Sequence, residues 1–281
     1  MPYHGSPEET VPAAAAEDPD WLPPEINTSV AHPARVYDYF LGGKDNFAAD
    51  RALADAVAEA MPSAALMARA NRAFLGRAVR YLATEAGVRQ FLDVGTGIPT
   101  AGNTHELAQA VAPDSRVVYV DNDPMVAAHA RALLTSSTGG ETCCLDADLL
   151  DVGELLDQAR QKLDFGQPIA VMMLMLLQMI PDSEQPHELV SRLMAAVPSG
   201  SYLVISHPAS DIRAQSMAEM AELLTQTGPP MAARSHAEVS RFFDGLDLVE
   251  PGVVALPTWR PDSADVPAEY ATGWCGVARK P

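Results

Sequence analysis

The chain has 281 residues, 48% of them hydrophobic, with 19 lysines and arginines against 37 aspartates and glutamates, a formal net charge of −18. That is ample apolar material for a buried core in one or two domains, and an acidity that repels a phosphate backbone, so no nucleic-acid partner is expected. The three cysteines, Cys143, Cys144 and Cys275, offer neither a disulfide framework nor the Cys/His spacing of a structural zinc site, and no metal is expected.

Residues 1–34 carry six acidic and no basic residues, together with Pro2, Pro7, Pro12, Pro19, Pro23 and Pro24. With few large apolar side chains, such a stretch buries too little surface to offset its ordering entropy, and it is expected to be a mobile acidic tail. Trp21, Leu22 and Ile26 are its candidates for docking onto the body. The start has neither the basic nor the apolar region of a secretory signal. The longest apolar run, 169–177, is far shorter than the ~20 residues that span a bilayer. A cytoplasmic, reducing compartment and no membrane partner are therefore expected.

Residues 35–89 differ in kind, with eight basic and six acidic residues. Their first part, 35–47, holds Tyr37, Gly42, Gly43, Lys44 and Asn46. The Gly-Lys pair lacks the earlier glycine and the following Ser/Thr of a phosphate-binding loop. A glycine pair among aromatic and polar residues, ahead of the main domain, suits a lid that closes over a cofactor; the alternative is a helix-ending turn that only packs. From Phe47 the pattern becomes helical, with Leu53, Val57 and Met61 on one face until Pro62. A second helix is predicted after Ser63 as N-cap, with Leu66, Ala70, Phe74, Ala78 and Leu82 on one face and Gly87 as its stop. Arg69, Arg72, Arg77 and Arg80 fall on its other faces, either as a solvated basic surface or with one arginine, such as Arg72, reaching an anionic group of a ligand.

Beyond residue 90 short apolar runs alternate with helical stretches. Strands are predicted at 90–94, 116–121, 141–146, 169–177 and 201–206, and helices at 103–112, 124–134, 153–163, 184–197, 211–225 and 236–244. Two further strands, 246–256 and 272–279, end the chain around a Pro-rich loop containing Trp259. Uninterrupted apolar strands separated by helices indicate a parallel sheet covered on both faces. The expected fold is α/β: a doubly wound, mostly parallel seven-stranded sheet over 90–281 with a C-terminal antiparallel strand pair and an N-terminal helical lid over 35–89. Met172, Met173, Met175 and Met179 fall at strand spacing and are expected to be packing.

Chemistry concentrates at strand ends. At the first, 91–100 reads FLDVGTGIPT, in which Gly95 and Gly97 permit a tight turn and a close ligand approach. A dinucleotide site would need a small residue at Thr100, and Pro99 delays the helix that would face a pyrophosphate. The carboxylate of Asp93 suits a cationic ligand instead. At the second strand end, Asp121, followed by Asn122, is placed to accept both hydroxyls of a ribose, while Asp123 before Pro124 reads as a helix cap. At the third, Asp148 can accept from an adenine amino group. Three acids at successive strand ends after a two-glycine turn describe a pocket for S-adenosyl-L-methionine. An NAD-dependent oxidoreductase is disfavoured by Thr100 and Asp93.

The chain also resembles the S-adenosylmethionine-dependent methyltransferases of the class I, Rossmann-like fold. More narrowly, it is similar to a bacterial family formerly described as a domain of unknown function. The resemblance rests on 35–47 (RVYDYFLGGKDNF), 68–75 (ARANRAFL), 91–100, 119–125 (YVDNDPM), 200–207 (GSYLVISH) and 259–262 (WRPD). It implies that Asp93, Gly95 and Gly97 contact the methionine end of the cofactor, Asp121 the ribose, and Asp148 with Leu149 the adenine edge. It further implies that the segment from Leu177 and Gln178 to Asp182 lines the cofactor near its sulfonium; similar sequences often carry histidine where Gln178 stands. The reaction expected is methyl transfer to a small-molecule acceptor. His207, just past the fifth strand, is the first candidate base and His105 the second, each with a structural hydrogen bond as the alternative. A sensor that binds the cofactor without transferring its methyl is the alternative function.

Overall fold

A strand in the middle of a parallel sheet is covered on both faces, so each of its residues must find an apolar neighbour above or below. In the computed structural model, which describes residues 27–100, 102–126, 140–227, 231–262 and 271–281, four of the five parallel strands are buried along most of their length and the third, at the sheet edge, is only partly covered. The five are β1 (Gln90–Val94), β2 (Arg116–Asp121), β3 (Glu141–Asp146), β4 (Ala170–Leu174) and β5 (Tyr202–Pro208). Phe91, Val117, Met172 and Val204 face one core with Phe74 and Leu82, whereas Leu92, Val118, Val171, Met173 and Ile205 face a second core with Leu155, Leu189 and Leu193. Met172 and Met173 are fully buried packing, as expected.

The N-terminal helices are α1 (Pro33–Leu41), α2 (Ala48–Ala60) and α3 (Ala64–Thr84). After β1 come α4 (Thr104–Val111), α5 (Val152–Ala159), α6 (Pro186–Ala196), α7 (Ala214–Thr227) and α8 (His236–Ser240), in that chain order between and after the strands. Three short strands follow: β6 (Asp247–Leu248), β7 (Val254–Ala255) and β8 (Gly273–Arg279). The sheet has the order β3-β2-β1-β4-β5-β8-β6, with β7 also pairing β8, and β8 runs antiparallel to all its partners. It therefore has eight strands where seven were expected. The strand predicted at 246–256 is split in two around Pro251, which has no N–H to give a ladder.

The tail residues Trp21, Leu22 and Ile26, and the predicted helix 124–134 beyond Val126, lie outside the described residues. Helix α1 was not predicted; Pro33 at its first turn and Gly42 at its C-cap are its signals. Two of the four α3 arginines are tied to the C-terminal loop. Arg77 donates to Trp259 O (2.7 Å) and Leu256 O (2.8 Å), and Arg80 pairs with Asp262 at the surface. Trp259 is fully buried, edge-on to Phe74 and Tyr81.

A buried ion pair organises the segment ahead of α3. Arg35 Nε lies 3.0 Å from the Asp50 carboxylate, and the two residues are 4% and 0% exposed. Asp50 also accepts from the backbone N–H groups of His32 (2.8 Å) and Phe47 (2.7 Å), while Arg35 Nη2 donates to Asn27 O and Val30 O. The pair thus folds 27–50 into one unit, fixing residues 30–34 where they meet the sheet; Ala34 there packs on Ile98, Met125 and Val126. Removing one member strands the other charge, so Asp50→Ala is expected to lower stability by about 3–5 kcal/mol in urea denaturation. The double variant Arg35→Met/Asp50→Leu should lose less than either single one; an additive loss would show that the pair is not the organising contact.

Candidate functional site

Chain order reverses between β1 and β4, which are adjacent in the sheet although β2 and β3 lie between them in sequence. Ligands of open α/β sheets bind at such a point, outside the C-terminal strand ends. A cavity of about 660 Å³ occupies it, walled by the strand ends below and by residues 30–34, α1 and α3 above.

At the end of β1, Asp93 is buried and its Oδ2 accepts from Thr104 Oγ1 at 2.6 Å. Burial pushes its carboxyl up to about 6, against the lowering effects of the Thr104 bond and the Arg72 charge; Asp121 adds a smaller upward push. Gly95 and Gly97 have φ of 71° and 63°, in the region that favours glycine. A side chain at Gly95 would also collide with Leu176 from the β4 side. The turn brings the Gly97 N–H to Asp121 Oδ2 at 2.9 Å, so the first two strand ends are joined directly.

At the end of β2, Asp121 Oδ1 accepts from the Asp123 N–H (3.0 Å), and burial raises the acid from its ordinary range despite these two backbone bonds. Each oxygen thereby retains a further acceptor position. Asn122 Nδ2 donates to Asp148 Oδ2 at 3.0 Å, linking the second strand end to the third, where Leu149 and Leu150 complete the wall. His32, from the N-terminal segment, lies 3.3 Å from Asp123 and closes this side.

From above, Tyr37, Asn71 and Arg72 line the cavity. Arg72 Nη2 donates to Gly102 O at 2.8 Å. The Tyr37 hydroxyl donates to Ala68 O (3.2 Å) and accepts from Asn71 Nδ2 (2.8 Å). Asn71 Oδ1 accepts from Ser206 Oγ (2.6 Å), which itself accepts from the Met175 N–H (3.0 Å). A hydrogen-bonded chain therefore runs from α1 through α3 to β5 and the end of β4. Met175, at φ 50°, together with Leu176, Gln178, Met179 and Ile180, forms the β4 wall.

Of the residues singled out from the sequence, Asp93, Gly95, Gly97, Asp121, Asn122, Asp148, Leu149, Gln178, Tyr37 and Arg72 line one cavity. Leu177 does not; its side chain is fully buried in the core. Lys44 is exposed away from the cavity. Asn46 is turned into its own loop, donating to Asp38 Oδ2 (2.9 Å) and Gly43 O (3.1 Å).

Neither candidate base reaches the cavity. His105 is buried against Tyr119, whose hydroxyl accepts from the His105 backbone N–H and contacts its Nδ1 at 2.9 Å. His207 is fully buried; its Nδ1 donates to Pro208 O, which can only accept, so Nε2 is the acceptor for Arg234 Nη1, both at 2.9 Å. Burial pulls its pKa down to about 4, and the ring is neutral at ordinary pH. Arg234 continues to Leu177 O (2.8 Å), Ile180 O (3.0 Å) and Asp182 Oδ1 (2.7 Å), so His207 supports the segment after β4 from behind. Asn71, Thr104, Tyr119 and Arg234 were missed. Asn71 alone had a readable signal, as a polar residue on the buried face of α3 beside Phe74.

Residues 19–281 match the S-adenosyl methyltransferase family. A DUF574 family protein from Streptomyces avermitilis is 44% identical, with a TM-score of 0.88 over 90% of this chain and 99% of that one. A candidate methyltransferase from Thermobifida fusca is 40% identical, with a TM-score of 0.86 over 93% and 99%. The plantazolicin methyltransferase BpumL, solved with S-adenosylhomocysteine, shares the fold at 12% identity, with a TM-score of 0.52 over 88% and 95%. No curated protein matches the chain. The chain therefore belongs to the S-adenosyl methyltransferase family and is an S-adenosylmethionine-dependent methyltransferase of Rossmann-like fold.

Proposed function

We propose that the cavity holds S-adenosylmethionine across the ends of β1, β2 and β3 and that the methyl acceptor is a small molecule entering on the β4 side. The observation that carries this reading is the staggered series of Asp93, Asp121 and Asp148 at the ends of three adjacent parallel strands, Asp93 level with Tyr119, Asp121 level with Asp146, and Asp148 two residues past β3, all lining the cavity. In strand order these acids meet the charge, the diol and the amino group of an adenosyl sulfonium. Asp93, with the Gly95–Gly97 turn, takes the ammonium of the methionine end, and Arg72 takes its carboxylate. Asp121 accepts the ribose hydroxyls through the acceptor positions its backbone bonds leave open. Asp148, held by Asn122, receives the adenine amino group while Leu149 packs on the ring.

The cofactor supplies a methyl group already activated by a positive sulfur. What the chain contributes is orientation and exclusion of water. The N-terminal segment acts as a lid through Tyr37 and residues 30–34, anchored by the Arg35–Asp50 pair. With His105 and His207 turned away, transfer relies on alignment rather than on either ring as base. A roofed cavity of about 660 Å³ is in the range for small ligands, and the net charge of −18 disfavours nucleic acid. No helix of the described residues is long and apolar enough to cross a membrane, and the three cysteines are free; the compartment we favour is the cytoplasm.

Asp121→Ala should weaken S-adenosylmethionine binding at least tenfold by titration calorimetry, about 1.4 kcal/mol or more; unchanged affinity would remove the ribose assignment. A second expectation concerns pH. Asp93 is pushed up to about 6, so it loses its charge as pH falls through that value. Affinity for the cationic cofactor should be highest near pH 7 and fall about tenfold per pH unit below 6. The unliganded fold binds this proton more tightly than the unfolded chain, so its stability should rise as pH falls from 6 towards 4. Cofactor binding in that window should release a proton, seen by calorimetry in buffers of different ionisation enthalpy. Asp93→Asn should abolish the release; a release that persists would assign it to another group.

A further inference from the structure

The β4 wall differs in chemistry from the rest of the cavity. Its lining residues, Leu174, Met175, Leu176, Gln178, Met179 and Ile180, carry no charge, and Gln178 has the one polar side chain among them. That side chain is 9% exposed, and its Nε2 donates to Met175 O at 2.6 Å. Because a carbonyl only accepts, the amide cannot be reversed, and Oε1 must be the free end. Oε1 is buried and has no hydrogen-bond partner. A buried acceptor left unpaired is destabilising, so a site that keeps one is built for a donor that arrives with a ligand.

The backbone around it is held from outside. Gln178 O accepts from the Ala232 N–H (2.8 Å), and Arg234 grips Leu177 O and Ile180 O. Across the cavity, the Tyr37 hydroxyl is already engaged by Ala68 and Asn71 and does not compete for the same donor. The amide therefore stands one strand beyond Asp93, on an apolar wall, with its oxygen fixed.

We propose that Gln178 Oε1 is the recognition point of the methyl-acceptor subsite, and that the acceptor is an uncharged, largely apolar small molecule presenting an N–H or O–H to it. This rests on the cofactor lying across β1 to β3, which leaves the β4 wall for the acceptor. The amide oxygen orients the nucleophilic atom through its hydrogen and does not ionise; a carboxylate or phosphate in the same place would meet only apolar groups and the dipole of a like-charged oxygen. A site of this kind discriminates strongly against an analogue of the same shape that lacks the donor.

The test uses the full chain saturated with S-adenosylhomocysteine and two shape-matched pairs, indole against benzothiophene and 2-naphthol against 2-methylnaphthalene, titrated by ligand-observed NMR. The donor-bearing member of at least one pair should bind tenfold or more tightly than its partner. Gln178→Met should reduce that preference to less than twofold while leaving S-adenosylhomocysteine affinity within twofold of the parent. The wild-type comparison stands even if the variant does not fold. Equal binding within both pairs, or no binding by any of the four, overturns the proposal. A large loss of S-adenosylhomocysteine affinity in Gln178→Met also overturns it, by placing the amide on the cofactor. Failure of the wild-type chain to bind S-adenosylhomocysteine is a different result, and it overturns the cofactor reading itself.

Discussion

Strands β1 to β4 are parallel and in register, so their C-terminal ends form one row, and that row is the constraint on which the site depends. Parallel strands must be crossed over by helices, and the reversal between β1 and β4 leaves a crevice that no crossover fills. Backbone groups and side chains at the row have no next residue of strand to pair with. They are satisfied by one another: Gly97 to Asp121, Asp123 to Asp121, Asn122 to Asp148, Thr104 to Asp93. Every bond in this series uses a carboxylate as acceptor and leaves part of its capacity unspent. Acids here are thus the caps of the sheet, and in the proposed assignment the same groups recognise the cofactor.

Burial sets the working state of those acids. Asp93 and Asp121 are both raised because the protein interior penalises their charge, and Arg72 relieves only part of the penalty at Asp93. A cationic ligand removes that penalty, so the same desolvation that weakens the empty fold favours the filled one. The Arg35–Asp50 pair solves the opposite problem. It is fully paired within the fold, with Asp50 also taking two backbone N–H groups, and its role is to hold residues 30–34 as a roof rather than to meet a ligand.

Much of this was legible in the sequence where the signal is local. The inner strands β1, β2, β4 and β5 read as apolar runs because both faces are buried, and the acids at the ends of the first three strands read as exits from such runs. Gly95 and Gly97 announced a turn. What failed to read was long-range. His207 reads as the residue just past a strand, where a catalytic group would stand, but it lies within β5, and its ring is taken by Arg234, 27 residues later, in a contact with no local signature. Asn46 sits in a polar loop suited to a ligand, yet Asp38, eight residues back in α1, engages it. The split of 246–256 into β6 and β7 does not read because apolar residues resume at Val253 beyond Glu250-Pro251-Gly252, while the hydrogen-bond ladder does not continue across Pro251.

His207, Arg234 and the segment after β4 form one connected support. Arg234 is 3% exposed, and it holds residues 177–180 by main-chain carbonyls, Leu177 O and Ile180 O. Its remaining partners, Asp182 and the neutral His207 Nε2, are acceptors that complete the guanidinium without entering the cavity. Main-chain anchoring fixes where positions 178, 179 and 180 stand while leaving their side chains unconstrained by the anchor. The β4 wall can therefore change its chemistry without disturbing the fold, whereas the acids of β1 to β3 cannot, because each is also a cap of the sheet. On the proposed assignment, cofactor recognition and acceptor recognition are carried by two physically different kinds of residue, the first built into the sheet and the second mounted on it.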